Sequence, residues 1–166
     1  MKVDEFALRP ERTDGFFEEL IEGVVYLSPN VKPRHNEIVR RVEKALRPLE
    51  QRGFVLVGEV ACRLTDYSLP NTDAAVYRQE VWEAQDLDEF VTQAPLLAVE
   101  VHSVSNRQLN RKADLYLEHG AQQVWILYPK NKRVSIRLPD GESLEAREGE
   151  TITFEGLTIP VSDLFP

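Results

Sequence analysis

Glu100 stands inside an apolar run, Leu96-Leu97-Ala98-Val99-Glu100-Val101. Such a run reads as a buried β-strand. A carboxylate there is costly unless it is paired or coordinates a metal. Side chains alternate along a strand, so Glu100 and His102 are expected on one face. Asp73 opens a second strand-like stretch, Asp73-Ala74-Ala75-Val76-Tyr77. If the two strands are neighbours, both carboxylates come within reach of one divalent ion. Oxygen ligands suit Mg²⁺ or Mn²⁺. Lys112 borders the apolar helical face of Leu109, Ala113 and Tyr116. A lysine there can orient a water or stabilise developing negative charge. The chemistry open to this set is metal-assisted hydrolysis of a phosphodiester.

Each residue also has a structural reading. Glu100 can sit at a strand end, reaching solvent or pairing with an Arg. Asp73 can cap a turn, and Lys112 can snorkel along a helix. His102 can contact water or metal, or be a plain polar residue. His35 extends the apolar face of its segment, as a helix-entry histidine that packs or caps would.

The elements that must position these residues follow from periodicity. Residues 16–27 read as a strand pair with a tight turn or bulge at Gly23. Residues 34–51 read as a helix stopped by Gly53. Residues 54–64 are strand-like, and 66–71 carry turn chemistry. Residues 83–92 have Leu87, Phe90 and Val91 at helical spacing, which predicts a short surface helix. Strand 96–102, helix 106–119 and strand 124–128 make a βαβ unit with parallel strands. Trp125 belongs to the core of the last of these. Residues 133–138 alternate cleanly, and 139–166 supply an antiparallel finish. The whole predicts one α/β domain over 1–166, a central mixed sheet flanked by helices.

Composition agrees with a globular domain: 166 residues, 42% hydrophobic and 29% charged. No apolar run is long enough to cross a membrane, and the start, Met1-Lys2-Val3-Asp4-Glu5, lacks the core of a signal peptide. The single cysteine, Cys62, cannot form an internal disulfide and fits a reducing cytoplasm. Its apolar-alternating context marks it as a core residue, not a nucleophile. A net charge of −8 argues against broad DNA coating. The charge is uneven, however. Residues 32–52 carry seven Lys/Arg against three acids, and 103–137 seven against two. That suits a metal site between phosphate-binding walls, and equally two solvated helix faces.

Several motifs resemble one family in order. Ala94-Pro95-Leu96-Leu97-Ala98-Val99-Glu100-Val101-His102-Ser103, then Lys112-Ala113-Asp114-Leu115-Tyr116 with Gly120, then Val124-Trp125-Ile126-Leu127, are similar to blocks of the Uma-two-like proteins. Glu19-Leu20-Ile21-Glu22-Gly23, Ser28-Pro29 and His35 resemble that family's opening. These are bacterial restriction-type endonucleases of the PD-(D/E)XK superfamily. The resemblance implies a restriction-endonuclease-like fold and a Mg²⁺- or Mn²⁺-dependent endonuclease acting on DNA. It implies Asp73 and Glu100 as metal ligands, with the Val101 carbonyl completing the coordination. His102 occupies the superfamily's usual lysine position, and Lys112 on the next helix stands in for that lysine. Glu19 and His35 match further polar positions as accessory residues. Cutting both strands takes two sites, which a homodimer would supply.

Departures from the pattern open a rival reading. Thr72 replaces the proline of "PD", Val24 replaces a second acid, and Gln108 stands four before Lys112 where an acid is common. The loss of acids suits a catalytically degenerate nuclease-fold module that binds nucleic acid or a protein partner.

Overall fold

A computed structural model describes residues 1–166. The chain runs α1 (Val3–Ala7), β1 (Phe16–Ile21), β2 (Val24–Pro29), α2 (Pro33–Leu46), a 3₁₀ segment (Arg47–Arg52), β3 (Phe54–Val57), β4 (Val60–Ala61), β5 (Asn71–Thr72), β6 (Ala74–Arg78), α3 (Gln79–Glu83), β7 (Leu97–Val101), α4 (Asn106–Glu118), β8 (Gln123–Tyr128), β9 (Arg133–Arg137), β10 (Ser143–Arg147), β11 (Thr151–Phe154) and β12 (Leu157–Pro160). A last 3₁₀ turn covers Val161–Asp163.

Six strands form the central sheet in the order β10-β9-β8-β7-β6-β3. β7 and β8 pair in parallel, and the other neighbours are antiparallel. The parallel pair is the predicted βαβ unit, with α4 as its crossover. Both of its strands are buried along nearly all their length, as strands covered on both faces must be.

The two-residue period of β7 decides which helix sees which side chain. Leu97, Val99 and Val101 join Ile38, Val42 and Leu46 of α2, with Trp125 and Leu127, in the larger core. Ala98 joins Leu109, Ala113 and Tyr116 of α4, with Val124 and Ile126, in the second. Glu100 has the parity of Ala98, so it projects toward α4. The predicted core position of Trp125 holds, as does the burial of Cys62.

The β1–β2 hairpin turns through Glu22 and Gly23, both at positive φ (51° and 81°). Consecutive left-handed residues make a two-residue turn that matches strand twist. The hairpin docks by a bridge from Leu20 to Leu69. β11 and β12 form a separate hairpin, so only β10 of the C-terminal region extends the central sheet.

Several element boundaries differ from the sequence expectation, among them the strand pair expected over 16–27, which runs to Pro29. Helix 34–51 is α-helical only to Leu46 and continues as 3₁₀, because Pro48 has no N–H to donate. Strand 54–64 breaks at Gly58 and Glu59. The helix expected at 83–92 lies earlier, at Gln79–Glu83. Downstream, Asp86 Oδ1 accepts from the Asp88 amide at 3.0 Å, a local turn that competes with helix. β7 ends at Val101, one residue before the expected end.

Candidate active site

Asp73 sits in the bend between β5 and β6, where Ala74 pairs with Val99 of β7. Its amide donates to the Val99 carbonyl at 3.1 Å. Its side chain accepts the Val101 amide on Oδ2 at 2.7 Å. The other oxygen, Oδ1, lies 3.2 Å from His35 Nε2 in the first turn of α2. His35 Nδ1 is buried without a hydrogen-bond partner. Burial by itself lowers the His35 pKa, but the hydrogen bond and charge of Asp73, with Asn36 and Glu59, reverse this and raise it overall.

Glu100 is 3% exposed and Lys112 is 3% exposed, so their contact is made without water. Lys112 Nζ lies 2.9 Å from Glu100 Oε2 and 2.7 Å from Glu19 Oε1, and donates to the Asn71 carbonyl at 2.6 Å. Its three protons therefore have three acceptors. Tyr116 OH donates to Glu100 Oε1 at 3.3 Å. Glu19 accepts the Asn71 amide at 2.8 Å and Gln108 Nε2 at 3.2 Å.

Burial pushes the Glu100 carboxyl well above its ordinary pKa, and the Asp73 and Glu19 charges add to this against the pull of Lys112. Burial opposes the charged form of Lys112, yet Glu100, Glu19 and Asp73 hold its pKa above normal. The carboxylates contribute to both shifts in the same direction, since the pocket holds more carboxylate than cation. It is a cavity of about 280 Å³ lined by Glu19, His35, Glu59, Asp73, Glu100 and Lys112 among others.

Of the residues singled out in the sequence, Asp73, Glu100, Lys112, Glu19, His35 and Val101 all line this pocket. His102 does not. It lies one residue past the end of β7, where its amide still donates to the Leu127 carbonyl at 2.8 Å. Its ring packs on Tyr128 with centroids 5.1 Å apart, in the adjoining groove. Tyr116 and Gln108 were not expected as site residues. Their signal was the four-residue spacing Gln108, Lys112, Tyr116, which places all three on one helix face. Asn71, which contributes both its amide and its carbonyl, carries no sequence signal, since any residue has those groups.

The donor chemistry fits a hard cation: Glu19, Asp73 and Glu100 offer oxygen ligands beside one lysine. No group of three or more His, Cys, Asp or Glu side chains is arranged to hold an ion in this conformation. Lys112 occupies the space between Glu19 and Glu100 instead.

The sheet order and flanking helices define a restriction-endonuclease-like fold. A crystal structure described as "a putative nuclease belonging to DUF820", from Anabaena variabilis ATCC 29413, matches with TM-score 0.82 at 22% identity, covering 99% of this chain and 97% of that one. The chain belongs to the Uma2 family, described as "Putative restriction endonuclease", whose profile matches residues 3–166. No curated protein matches the chain. Family and fold together support a nuclease function, and nucleases of this fold generally use divalent metals. No helix is long and apolar enough to cross a membrane.

Proposed function

We propose that residues 1–166 act as one PD-(D/E)XK-like domain that hydrolyses DNA phosphodiester bonds with Mg²⁺ or Mn²⁺. The observation that carries this reading is the convergence of Asp73, Glu100 and Lys112 from three elements on one pocket. Asp73, Glu100 and the Val101 carbonyl would hold the metal. A bound divalent ion supplies phosphate polarisation and a water of lowered pKa. The protein's own groups prepare for it. The Val101 amide fixes one Asp73 oxygen, and His35 fixes the other. Tyr116 holds one oxygen of Glu100, and Lys112 offsets its charge. To meet a water or a phosphate oxygen, Lys112 gives up one of its three acceptors.

A second reading is a nuclease-fold module that binds nucleic acid or a partner protein without cutting. It is favoured by the saturation of Lys112 and by the side chain of Gln108, which takes up Glu19 where an acid is common.

Plasmid and short-duplex DNA incubated with Mg²⁺ or Mn²⁺ separate the two. Cleavage by the native protein, lost in Asp73→Ala and Glu100→Ala, is the expected result. Identical, metal-independent behaviour of all three overturns the enzyme reading. DNA retention without cleavage favours the module.

A further inference from the structure

Two basic stretches of sequence, 32–52 and 103–137, contribute only His35, Lys112 and a few neighbours to the carboxylate pocket. Many of their cations are already neutralised. Arg40 and Arg41 pair with Glu37, and Arg111 pairs with Glu22, Asp114 and Glu118. Lys32, Arg34 and Lys130 make no ion pair, and the three meet in one place.

That place is a groove of about 610 Å³ beside the carboxylate pocket. The two cavities share Pro29, Val31, His35, Val101 and Ser103, so they lie side by side. The groove lining contains no Asp or Glu. The start of α2 supplies Lys32 and Arg34. Pro129 follows β8, and the turn to β9 carries Lys130. Arg133 lies 3.9 Å above the Tyr128 ring while also meeting Glu145 at 2.7 Å. His102 packs on the same ring. The groove thus has a braced aromatic floor and three cations without partners.

This division of charge has a physical consequence. A pocket rich in carboxylate, on a chain of net charge −8, repels a polyanion. Binding then needs cations close to the pocket but outside it. Three unpaired cations from two separate elements line one groove, which suits a ligand that carries more than one phosphate.

We propose that this groove holds the phosphodiester backbone of a nucleic-acid strand that runs on into the carboxylate pocket. Lys32, Arg34 and Lys130 each neutralise a phosphate. His102 and Tyr128 form the floor beneath the strand, which gives His102 a place in substrate binding instead of metal binding. The identity of the strand rests on the nuclease reading, whereas the groove's part in binding is tested apart from cleavage.

The experiment is fluorescence anisotropy of a labelled short duplex, and of a single strand of equal length, with the full chain in EDTA across a salt series. The Lys32→Ala/Arg34→Ala/Lys130→Ala variant is compared with native protein, with Lys44→Ala/Arg47→Ala outside both cavities, and with Asp73→Asn. Each lost phosphate contact lowers the slope of log K against log salt by about 0.9 for duplex and about 0.7 for single strand. The expected triple-variant slope is therefore shallower by about 2–3, with binding weakened by about 10-fold or more at low salt. The two slopes distinguish the strand forms. Retained binding and circular dichroism in Asp73→Asn, with cleavage lost, support both readings. Binding lost in the triple variant while no protein cleaves DNA removes the nuclease reading and leaves the groove standing. Native-like binding by a folded triple variant overturns the groove, as does a native protein that binds no DNA. Displacement of the DNA by polyglutamate at equal charge assigns the groove to an acidic protein and overturns the nucleic-acid claim.

Discussion

Asp73 and Val101 are joined by a hydrogen bond from backbone to carboxylate, Val101 N to Asp73 Oδ2, at 2.7 Å. The bond ties the residue before β6 to the last residue of β7. It orients a carboxylate that is 24% exposed at the side chain, toward a cleft whose floor is otherwise buried. An asparagine keeps an acceptor for the amide but loses the charge.

Asp73→Asn is therefore expected to fold normally and to lose metal-dependent cleavage by roughly 10³-fold, the scale of several kcal/mol of charge stabilisation. Plasmid nicking rates with Mg²⁺, beside a thermal melt, check this. Native-like nicking by Asp73→Asn removes Asp73 from the metal site.

Lys112 is the only cation between two buried carboxylates. Lys112→Met leaves Glu19 and Glu100 facing each other without it, and breaking a buried pair in this way costs about 3–5 kcal/mol. Adding Glu100→Gln should recover part of that loss, because one of the two stranded charges is gone. Urea unfolding of the single and double variants measures the coupling. If Lys112→Met unfolds like the native protein, the lysine is not the keystone of this cluster.

Tyr116→Phe removes the donor to Glu100 Oε1 and leaves a buried oxygen short of a partner, a cost of about 1–3 kcal/mol. As a positioning residue it should also weaken Mn²⁺ binding by about 10–100-fold. Calorimetric titration of Mn²⁺ distinguishes this from a stability effect alone. Unchanged affinity with lowered stability makes Tyr116 purely structural.

Burial pushes the Cys62 thiol up to about 11 from 9.0, with its Tyr77 contact opposing the shift. A raised folded-state pKa contributes stability that is complete below the unfolded value and lost as pH rises through the folded one. The window is thus pH 9 to about 11, and the loss is about 2–3 kcal/mol. Cys62→Ala should lack this part of the alkaline decline, as urea midpoints from pH 8 upward would reveal. In the native protein the thiol should also resist iodoacetamide at pH 8 until denaturant is added.

Much of the fold is legible locally. The continuous apolar runs of β7 and β8, with a helical pattern between them, carry the parallel unit without tertiary information. The end of α2 was less legible, because the 3₁₀ continuation through Pro48 still has helical hydrophobic spacing. The helix placed at 83–92 was misread because Leu87 mimics a buried position, yet it is 82% exposed. In the site, Glu100 and Lys112 were readable because a charge among apolar neighbours is conspicuous. Tyr116 was not, because a tyrosine on an apolar face is ordinary core until its hydroxyl has a partner.

The sequence by itself determined the chemistry on offer: a carboxylate in a buried strand, another before the neighbouring strand, and a lysine on the following helix. It also determined the two-residue period that turns Glu100 toward that helix. Only the tertiary structure decided who meets whom across long stretches of chain. Glu19 arrives on a hairpin docked against residues 69–71, and His35 arrives on the helix that covers the opposite face of the sheet. The same packing set the His102 ring against Tyr128 in the adjoining groove, one residue past the last ladder pair at Val101 and Leu127. Periodicity acts over a few residues, whereas these contacts depend on how separate elements bury their apolar faces, which no local pattern encodes.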